Sequence, residues 1–104
     1  MPEEEAIAPS PRYRLILFVA GDEKNSRIAR SNLDRICRED LEGNCQVQIV
    51  DVLKDFALAT AHNILLTPSL LVIEPEAETL IIGNLKEREK IRSVLGAAAE
   101  RNSI

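Results

Sequence analysis

The sequence predicts an α/β fold with the element order βαβαββα. A continuous apolar run at residues 15–19 precedes an amphipathic helix pattern and a second apolar segment at 46–53, which together predict a right-handed βαβ unit. Two later apolar segments, 68–73 and 79–82, are separated only by residues 74–78. That connection is too short for a crossover, so the pair is predicted to be an antiparallel hairpin, followed by a last helix.

The first half of the chain contains the βαβ unit. Residues 15–19 include no polar side chain, which indicates a strand covered on both faces. Asn25 or Ser26 is expected to cap the first helix, because either side chain can accept from unpaired backbone amides. The helix is expected to end at Gly43-Asn44, and its predicted buried stripe contains Ala29, Leu33, Ile36, Cys37 and Leu41. The segment 46–53 begins by alternating, which is typical of a strand at a sheet edge.

The Thr67–Pro68 pair organises the second half of the chain. A proline donates no hydrogen bond to a sheet ladder, so Pro68 is expected to open a buried strand. Both a cis and a trans Thr67–Pro68 peptide bond are compatible with the sequence. Before this pair, Asp55 is expected to cap a short helix over Phe56, Leu58, Ala59 and Ala61. After the hairpin, Asn84 and Glu87 resemble a capping box for a helix with the predicted buried stripe Ile91, Val94, Leu95 and Ala98.

This order of elements is the thioredoxin-like plan, with the first and third strands at the centre of the sheet and helices on both faces. The length of 104 residues predicts one domain. Residues 1–11, which are acidic and rich in proline, are expected to be a flexible leader. We expect the domain to span residues 12–101 and a short tail to follow at 102–104.

Composition excludes several classes of function. A net charge of -4 and an aromatic content of 3% argue against nucleic-acid binding, which needs positive charge and stacking surfaces. No apolar run approaches the ~20 residues of a membrane-spanning helix, and the first residues are acidic where a signal peptide is basic. We therefore expect a cytoplasmic location. One histidine and two cysteines make no plausible metal-ligand set, so neither a metal nor a cofactor is expected.

The thioredoxin-like plan raises the question of thiol chemistry. The dithiol would lie after the first strand, yet residues 21–26 contain no sulfur, although Ser26 leaves a glutathione-dependent activity open. Cys37 lies on the predicted apolar stripe and is expected to be a core residue, while Cys45 lies between helix and strand. A disulfide between them is geometrically conceivable but unneeded in a reducing cytoplasm. Asp51 could act as a base, but satisfying backbone donors at the next turn is the simpler role.

Four separated segments, at residues 18–26, 49–54, 64–70 and 81–90, resemble the KaiB family of circadian-clock proteins. The resemblance covers roughly residues 13–92. The matching motif residues are Gly21, Asn25, Ser26, Asp51, Gly83, Glu87, Arg88 and Glu89.

The resemblance implies a non-catalytic protein that docks on the ring-forming ATPase KaiC and slows its autophosphorylation cycle. It points to the second strand as the contact, with Gln46, Val47 and Gln48 as partner-binding residues. The family has a lysine at the position of Gln48. Two alternatives stay open: a thiol- or glutathione-dependent enzyme, and a sensor partner of a histidine kinase, since relatives serve as sensor domains on such kinases.

The resemblance also implies two folds, a homo-tetramer peculiar to the family and a thioredoxin-like monomer, which differ after about Leu53. The tail at residues 93–101 is rich in alanine, which favours helix and packs poorly in a strand. A few tenths of a kcal/mol per residue sum to about 1–3 kcal/mol over such a segment. We therefore predict the thioredoxin-like arrangement.

Overall fold

The computed structural model describes residues 13–41, 45–74 and 77–101. The predicted order βαβαββα is confirmed within these ranges. The elements are β1 (Tyr13–Val19), α1 (Lys24–Glu39), β2 (Cys45–Asp51), α2 (Phe56–Ala61), β3 (Ser69–Glu74), β4 (Ala77–Ile82) and α3 (Arg88–Arg101). The predicted leader at 1–11, the tail at 102–104 and the predicted helix end at Gly43-Asn44 lie outside the described residues.

The four strands form one mixed sheet in the order β2-β1-β3-β4. β2 is parallel to β1, whereas β3 is antiparallel to both β1 and β4. At the centre of the sheet, Leu17 of β1 pairs with Ile49 on one side and Leu70 on the other. The predictions that the first and third strands are central and that the second lies at an edge are confirmed.

Both faces of β1 are covered, as its unbroken apolar run indicates. Leu15, Leu17 and Val19 pack in one cluster with side chains of α1 and α3. Ile16 and Phe18 pack in a second cluster on the opposite face, which α2 covers. Side chains alternate across a strand, so these two sets must lie on opposite faces of the sheet. We refer below to the α1/α3 face and the α2 face.

The N-terminus of α1 differs from the prediction. The helix begins at Lys24 and its cap is Glu23, whose side chain accepts from the Ser26 amide at 3.1 Å. The expectation that Asn25 or Ser26 is the cap is therefore wrong. The physical reason is that the Ser26 hydroxyl is buried and accepts from the Ala20 amide, which draws Ser26 into the first turn.

The second half of the chain follows the thioredoxin-like arrangement that the alanine-rich tail predicts. α3 is helical through Arg101, so the region around residues 97–99 is not part of the sheet. The Thr67–Pro68 peptide bond is cis, and the Pro68 carbonyl accepts from the Gly83 amide at 2.9 Å. The side-chain oxygen of Asn84 accepts from the Lys86 amide. Because α3 begins only at Arg88, the predicted capping box of Asn84 and Glu87 does not start this helix.

Candidate partner-binding surface

The loop after β1 is joined to the end of β2 through Asp51. One carboxylate oxygen of Asp51 accepts from the amides of Gly21 and Leu53, each at 3.0 Å. The hydrogen bond from Gly21, and after it that from Leu53, lowers the pKa of Asp51 below its ordinary value of 3.8. Asp51 is therefore held as a carboxylate that closes two turns. The expectation that it satisfies backbone donors is confirmed, and β2 ends here rather than at Leu53.

Gly21 is suited to this junction because its backbone is left-handed, with φ of 58°. A Cβ at this position would lie 3.3 Å from Cδ1 of Leu53. Both features favour glycine where the chain turns from β1 towards α1.

The hydroxyl of Ser26 is fully engaged within the protein. It accepts from the Ala20 amide at 3.1 Å and lies 3.3 Å from a carboxylate oxygen of Glu23, to which it donates. Ser26 is 0% exposed. A buried hydroxyl with both functions in use is a structural group, which weighs against a role for Ser26 in glutathione chemistry.

A second set of polar contacts joins α1 to the loop before α3. The side-chain amide of Asn84 donates to the side-chain oxygen of Asn25 at 3.2 Å, and the side-chain amide of Asn32 donates to the backbone carbonyl of Asn84 at 2.9 Å. Gly83, which precedes Asn84, has a φ of 121°, a conformation that L side chains rarely adopt. These contacts fix the loop that follows β4.

The structure therefore brings together five of the motif residues at one end of the sheet, around the ends of β1, β2 and β4. They are Gly21, Asn25, Ser26, Asp51 and Gly83. Glu87 and Glu89 are exposed at the start of α3, and Glu87 lines an open groove together with Asn25 and Gly83. The Arg88 side chain lies outside the described part of the chain. Gly21, Ser26, Asp51 and Gly83 hold the loops through hydrogen bonds with backbone groups, and Asn25 does so through the side chain of Asn84.

The two thiols lie far from the position of a thioredoxin-like dithiol. Cys37 comes thirteen residues after Lys24 on a continuous helix, which is roughly 20 Å along the axis at 1.5 Å per residue. Cys45 is the first residue of β2 and pairs with Tyr13, at the opposite end of the sheet from Asp51. Both cysteines are half-buried and reduced. Burial, then a hydrogen bond with Cys45, raises the pKa of Cys37 to about 12.

The residues predicted to bind a partner lie on β2, a strand at the edge of the sheet. Gln46, Val47 and Gln48 are all exposed. Val47 pairs with Leu15 and so lies on the α1/α3 face, whereas Gln48 pairs with Ile16 and lies on the α2 face. No described strand lies beyond β2, so its outer backbone groups face outward.

Three exposed apolar residues lie on this strand or shortly after it in the chain, and the sequence pattern did not single them out. Ile49 is 48% exposed, Leu53 is 73% exposed and Phe56 is 75% exposed. A pattern of apolar residues predicts burial, so exposure at these positions becomes visible only once the fold shows which faces remain uncovered. We define the β2 edge surface as residues 46–49 together with Leu53 and Phe56.

The opposite edge of the sheet has a different character. An open groove of about 660 Å³ lies between β4 and α3, and its lining includes Pro68, Ile82 and Val94 together with the charged residues Lys86 and Lys90. Leu80, on the α2 face of β4, is 39% exposed. β4 also has the exposed charged residue Glu78.

A metal centre and a membrane-spanning helix are both absent from residues 13–41, 45–74 and 77–101. Within these ranges, no three His, Cys, Asp or Glu side chains are grouped closely enough to hold a metal ion. Likewise, no helix there is both long enough and apolar enough to cross a membrane. His62 caps the C-terminus of α2, with its ring 5.9 Å from that of Phe18.

A family model described as the KaiB domain matches residues 16–97 of the chain. This protein belongs to the KaiB family. Relatives named circadian clock oscillator protein KaiB include one from Prochlorococcus marinus, 39% identical over 85 residues, or 82% of this chain and 73% of the relative. Another, from Microcystis aeruginosa, is 40% identical over 79 residues, or 76% of each chain. A third, from Synechococcus elongatus, is 38% identical over 85 residues, or 82% of this chain and 83% of the relative.

Solved structures similar to this KaiB-family chain have the thioredoxin fold. Thioredoxin from Trypanosoma brucei brucei matches with a TM-score of 0.72 and 13% identity, over 88% of this chain and 78% of that one. Fasciola hepatica thioredoxin matches with a TM-score of 0.69 and 17% identity, over 85% of this chain and 82% of that one. Likeness at such low identity shows the fold alone.

Proposed function

We propose that this KaiB-family chain is a non-catalytic regulatory protein that binds a KaiC-like ATPase and modulates its phosphorylation cycle, with the β2 edge surface as the contact. The single observation that supports this most strongly is the character of β2. It is an edge strand that is exposed, apolar on one face and free of charge from Cys45 to Val50.

Edge strands in natural proteins are normally protected against pairing by charged residues, proline or a covering element. Charged residues make up 29% of this chain, yet none falls between Cys45 and Val50. Val47, in the middle of the strand, is 42% exposed. An edge left open in this way is suited to contact with another protein.

The strand offers two kinds of contact. Its outward backbone groups can pair with an extended segment of the partner, which supplies affinity through main-chain hydrogen bonds. Its side chains alternate, with Gln46 and Gln48 on the α2 face and Val47 and Ile49 on the α1/α3 face. The partner would therefore meet polar amides on one side and apolar groups on the other.

The relatives add support, because they are named as circadian clock oscillator proteins. The loop at residues 20–26 adds support of another kind. Its polar groups hold the backbone, and the thiols lie at the other end of the sheet. Recognition is therefore favoured over thiol exchange as the function of this scaffold.

The proposal is tested by titrating the purified protein against the KaiC-like ATPase of its own organism, with both binding and ATPase phosphorylation measured. Val47→Asp places a charge in the centre of the β2 edge surface, and we expect it to weaken binding at least about tenfold. Leu80→Asp is the matched control, because Leu80 is 39% exposed on the opposite edge strand, close to the 42% of Val47.

Equal loss of binding in both variants would show that β2 is not the specific contact. No binding by the unmodified chain after long incubation would overturn the proposed function itself. An insulin-reduction assay tests the enzymatic alternative separately, and activity there would contradict the non-catalytic assignment.

A further inference from the structure

The groove between β4 and α3 has the size and the walls of a binding site. Its volume of about 660 Å³ falls within the roughly 300–1,000 Å³ that is typical of ligand-binding pockets. Residues 79–82 of β4 form one wall. The other wall is formed by the loop after β4 and the first half of α3, and it includes Lys86, Lys90 and Val94. The groove therefore runs beside an edge of the sheet.

The strand along this groove can accept a further strand. Within residues 13–41, 45–74 and 77–101 no strand lies beyond β4, so its outer backbone groups are not paired in the sheet. Glu78 is charged, but residues 79–82 are not, and an edge without charge is poorly protected against pairing. An extended peptide that adds to such an edge gains main-chain hydrogen bonds.

The two faces of this edge favour different side chains on the added peptide. Leu80 pairs with Leu71, which places Leu80 and Ile82 on the α2 face, where they are 39% and 59% exposed. α3 lies on the opposite face, and the exposed Lys86 and Lys90 line the groove on that side. Successive side chains of a strand point to opposite faces. A peptide in which apolar and acidic residues alternate therefore matches both faces.

Charge distinguishes this groove from the β2 edge surface. The chain has a net charge of -4, yet the lining of the groove includes Lys86 and Lys90 against one glutamate, Glu87. The groove thus has a local excess of positive charge, which attracts carboxylates. The β2 edge surface consists of uncharged residues. The two edges of the sheet are therefore suited to different partner segments.

We propose that the groove between β4 and α3 is a second docking site, which binds an extended segment of a partner protein in which apolar and acidic residues alternate. The segment adds to β4 as a strand. Its apolar side chains lie beside Leu80 and Ile82, and its carboxylates lie beside Lys86 and Lys90. This site is at the opposite edge of the sheet from the β2 edge surface, and it does not depend on the proposed function.

The test uses a short synthetic peptide of alternating valine and glutamate, with both ends blocked and a fluorescent label, titrated with the purified chain and followed by anisotropy. Lys90→Glu is expected to weaken binding about fivefold, because an attractive charge pair becomes repulsive. Lys54→Glu changes the net charge equally, but Lys54 is exposed outside the groove, so it should leave binding unchanged. A peptide of alternating valine and lysine should instead bind Lys90→Glu more tightly than the unmodified chain. Circular dichroism checks that each variant is folded.

Strand addition is tested by methylating the peptide's backbone amides, on the valines in one peptide and on the glutamates in another. Alternate amides of a strand face the same neighbour, so one of these peptides should lose binding and the other should keep it.

Three results would overturn the proposal. The first is no binding of the valine–glutamate peptide to the unmodified chain. The second is equal weakening by Lys90→Glu and Lys54→Glu, or equal binding of the two methylated peptides. The third is loss of peptide binding in Val47→Asp, which would place the peptide on the β2 edge surface. Because no ATPase is present, a failure here is distinguishable from a failure of the proposed function.

Discussion

Ser26→Ala tests whether the motif serine holds the fold together or takes part in chemistry. The hydroxyl accepts from the Ala20 amide at 3.1 Å and donates to Glu23 at 3.3 Å, and the side chain is 0% exposed. Its removal leaves the Ala20 amide without this partner. An unsatisfied buried donor costs about 1–3 kcal/mol. Alanine regains about 0.4 kcal/mol as a better helix former than serine.

The net expectation is a loss of about 1–2 kcal/mol in the free energy of unfolding, equivalent to a melting temperature lower by about 5–10 °C. Ser31→Ala is the matched control, since Ser31 lies exposed on the same helix. This substitution changes only the helix propensity, in favour of alanine, so it should be neutral or slightly stabilising. Urea unfolding followed by circular dichroism measures both variants. Equal stability of the two would refute the assigned role of the Ser26 hydroxyl.

Three further changes probe the junction and the edge. Asp51→Asn should flatten the pH dependence of the free energy of unfolding. Because the pKa of Asp51 in the folded protein is lower than its ordinary value of 3.8, the carboxylate stabilises the fold above pH 3.8, and this stabilisation is lost as the pH falls through the folded-state pKa. Urea titrations from about pH 6 to about pH 3 measure this. Gly21→Ala should lower the free energy of unfolding by about 1–2 kcal/mol, because residue 21 has a positive φ. Gly21→Asn should lower it less, and thermal unfolding measures both variants. Gln48→Lys should tighten binding to a KaiC-like ATPase in a salt-dependent way, with Gln48→Ala as control, because the resemblance places a lysine there.

Sequence patterns predicted the elements well because each rests on local periodicity. The run at 15–19 has no polar side chain, and it is covered on both faces as expected. The alternation that starts the second strand correctly placed it at an edge. The arrangement of the last helix was also predicted, because alanine favours helix whatever packs against it.

The candidate site was harder to predict because exposure depends on what covers each face. α2 is only six residues long, and it covers Ile16, Phe18 and Leu71 near the centre of the sheet. It is itself exposed at Phe56, which periodicity alone would bury. The wrong cap for α1 has a similar cause. Ser26 is drawn inward by the Ala20 amide, six residues away, and no capping pattern encodes that contact.

The two edges of the sheet differ in a way that predicts self-association. β2 has no charged residue from Cys45 to Val50, whereas β4 has Glu78. Two β2 edges could therefore pair antiparallel about a two-fold axis. The net charge of -4 opposes this approach, and salt weakens that repulsion, since the screening length falls from about 10 Å at 0.1 M to about 3 Å at 1 M.

Raising sodium chloride from about 0.05 M to about 0.5 M is therefore expected to increase the dimer fraction in sedimentation velocity. Val47→Asp should abolish the increase, because a charge at the centre of the strand would face its counterpart in the second copy. Leu80→Asp should behave as the unmodified chain does. If both variants lose the increase equally, or if salt has no effect, the open β2 edge does not pair with a second copy, and backbone pairing is no longer supported as its mode of contact with the ATPase.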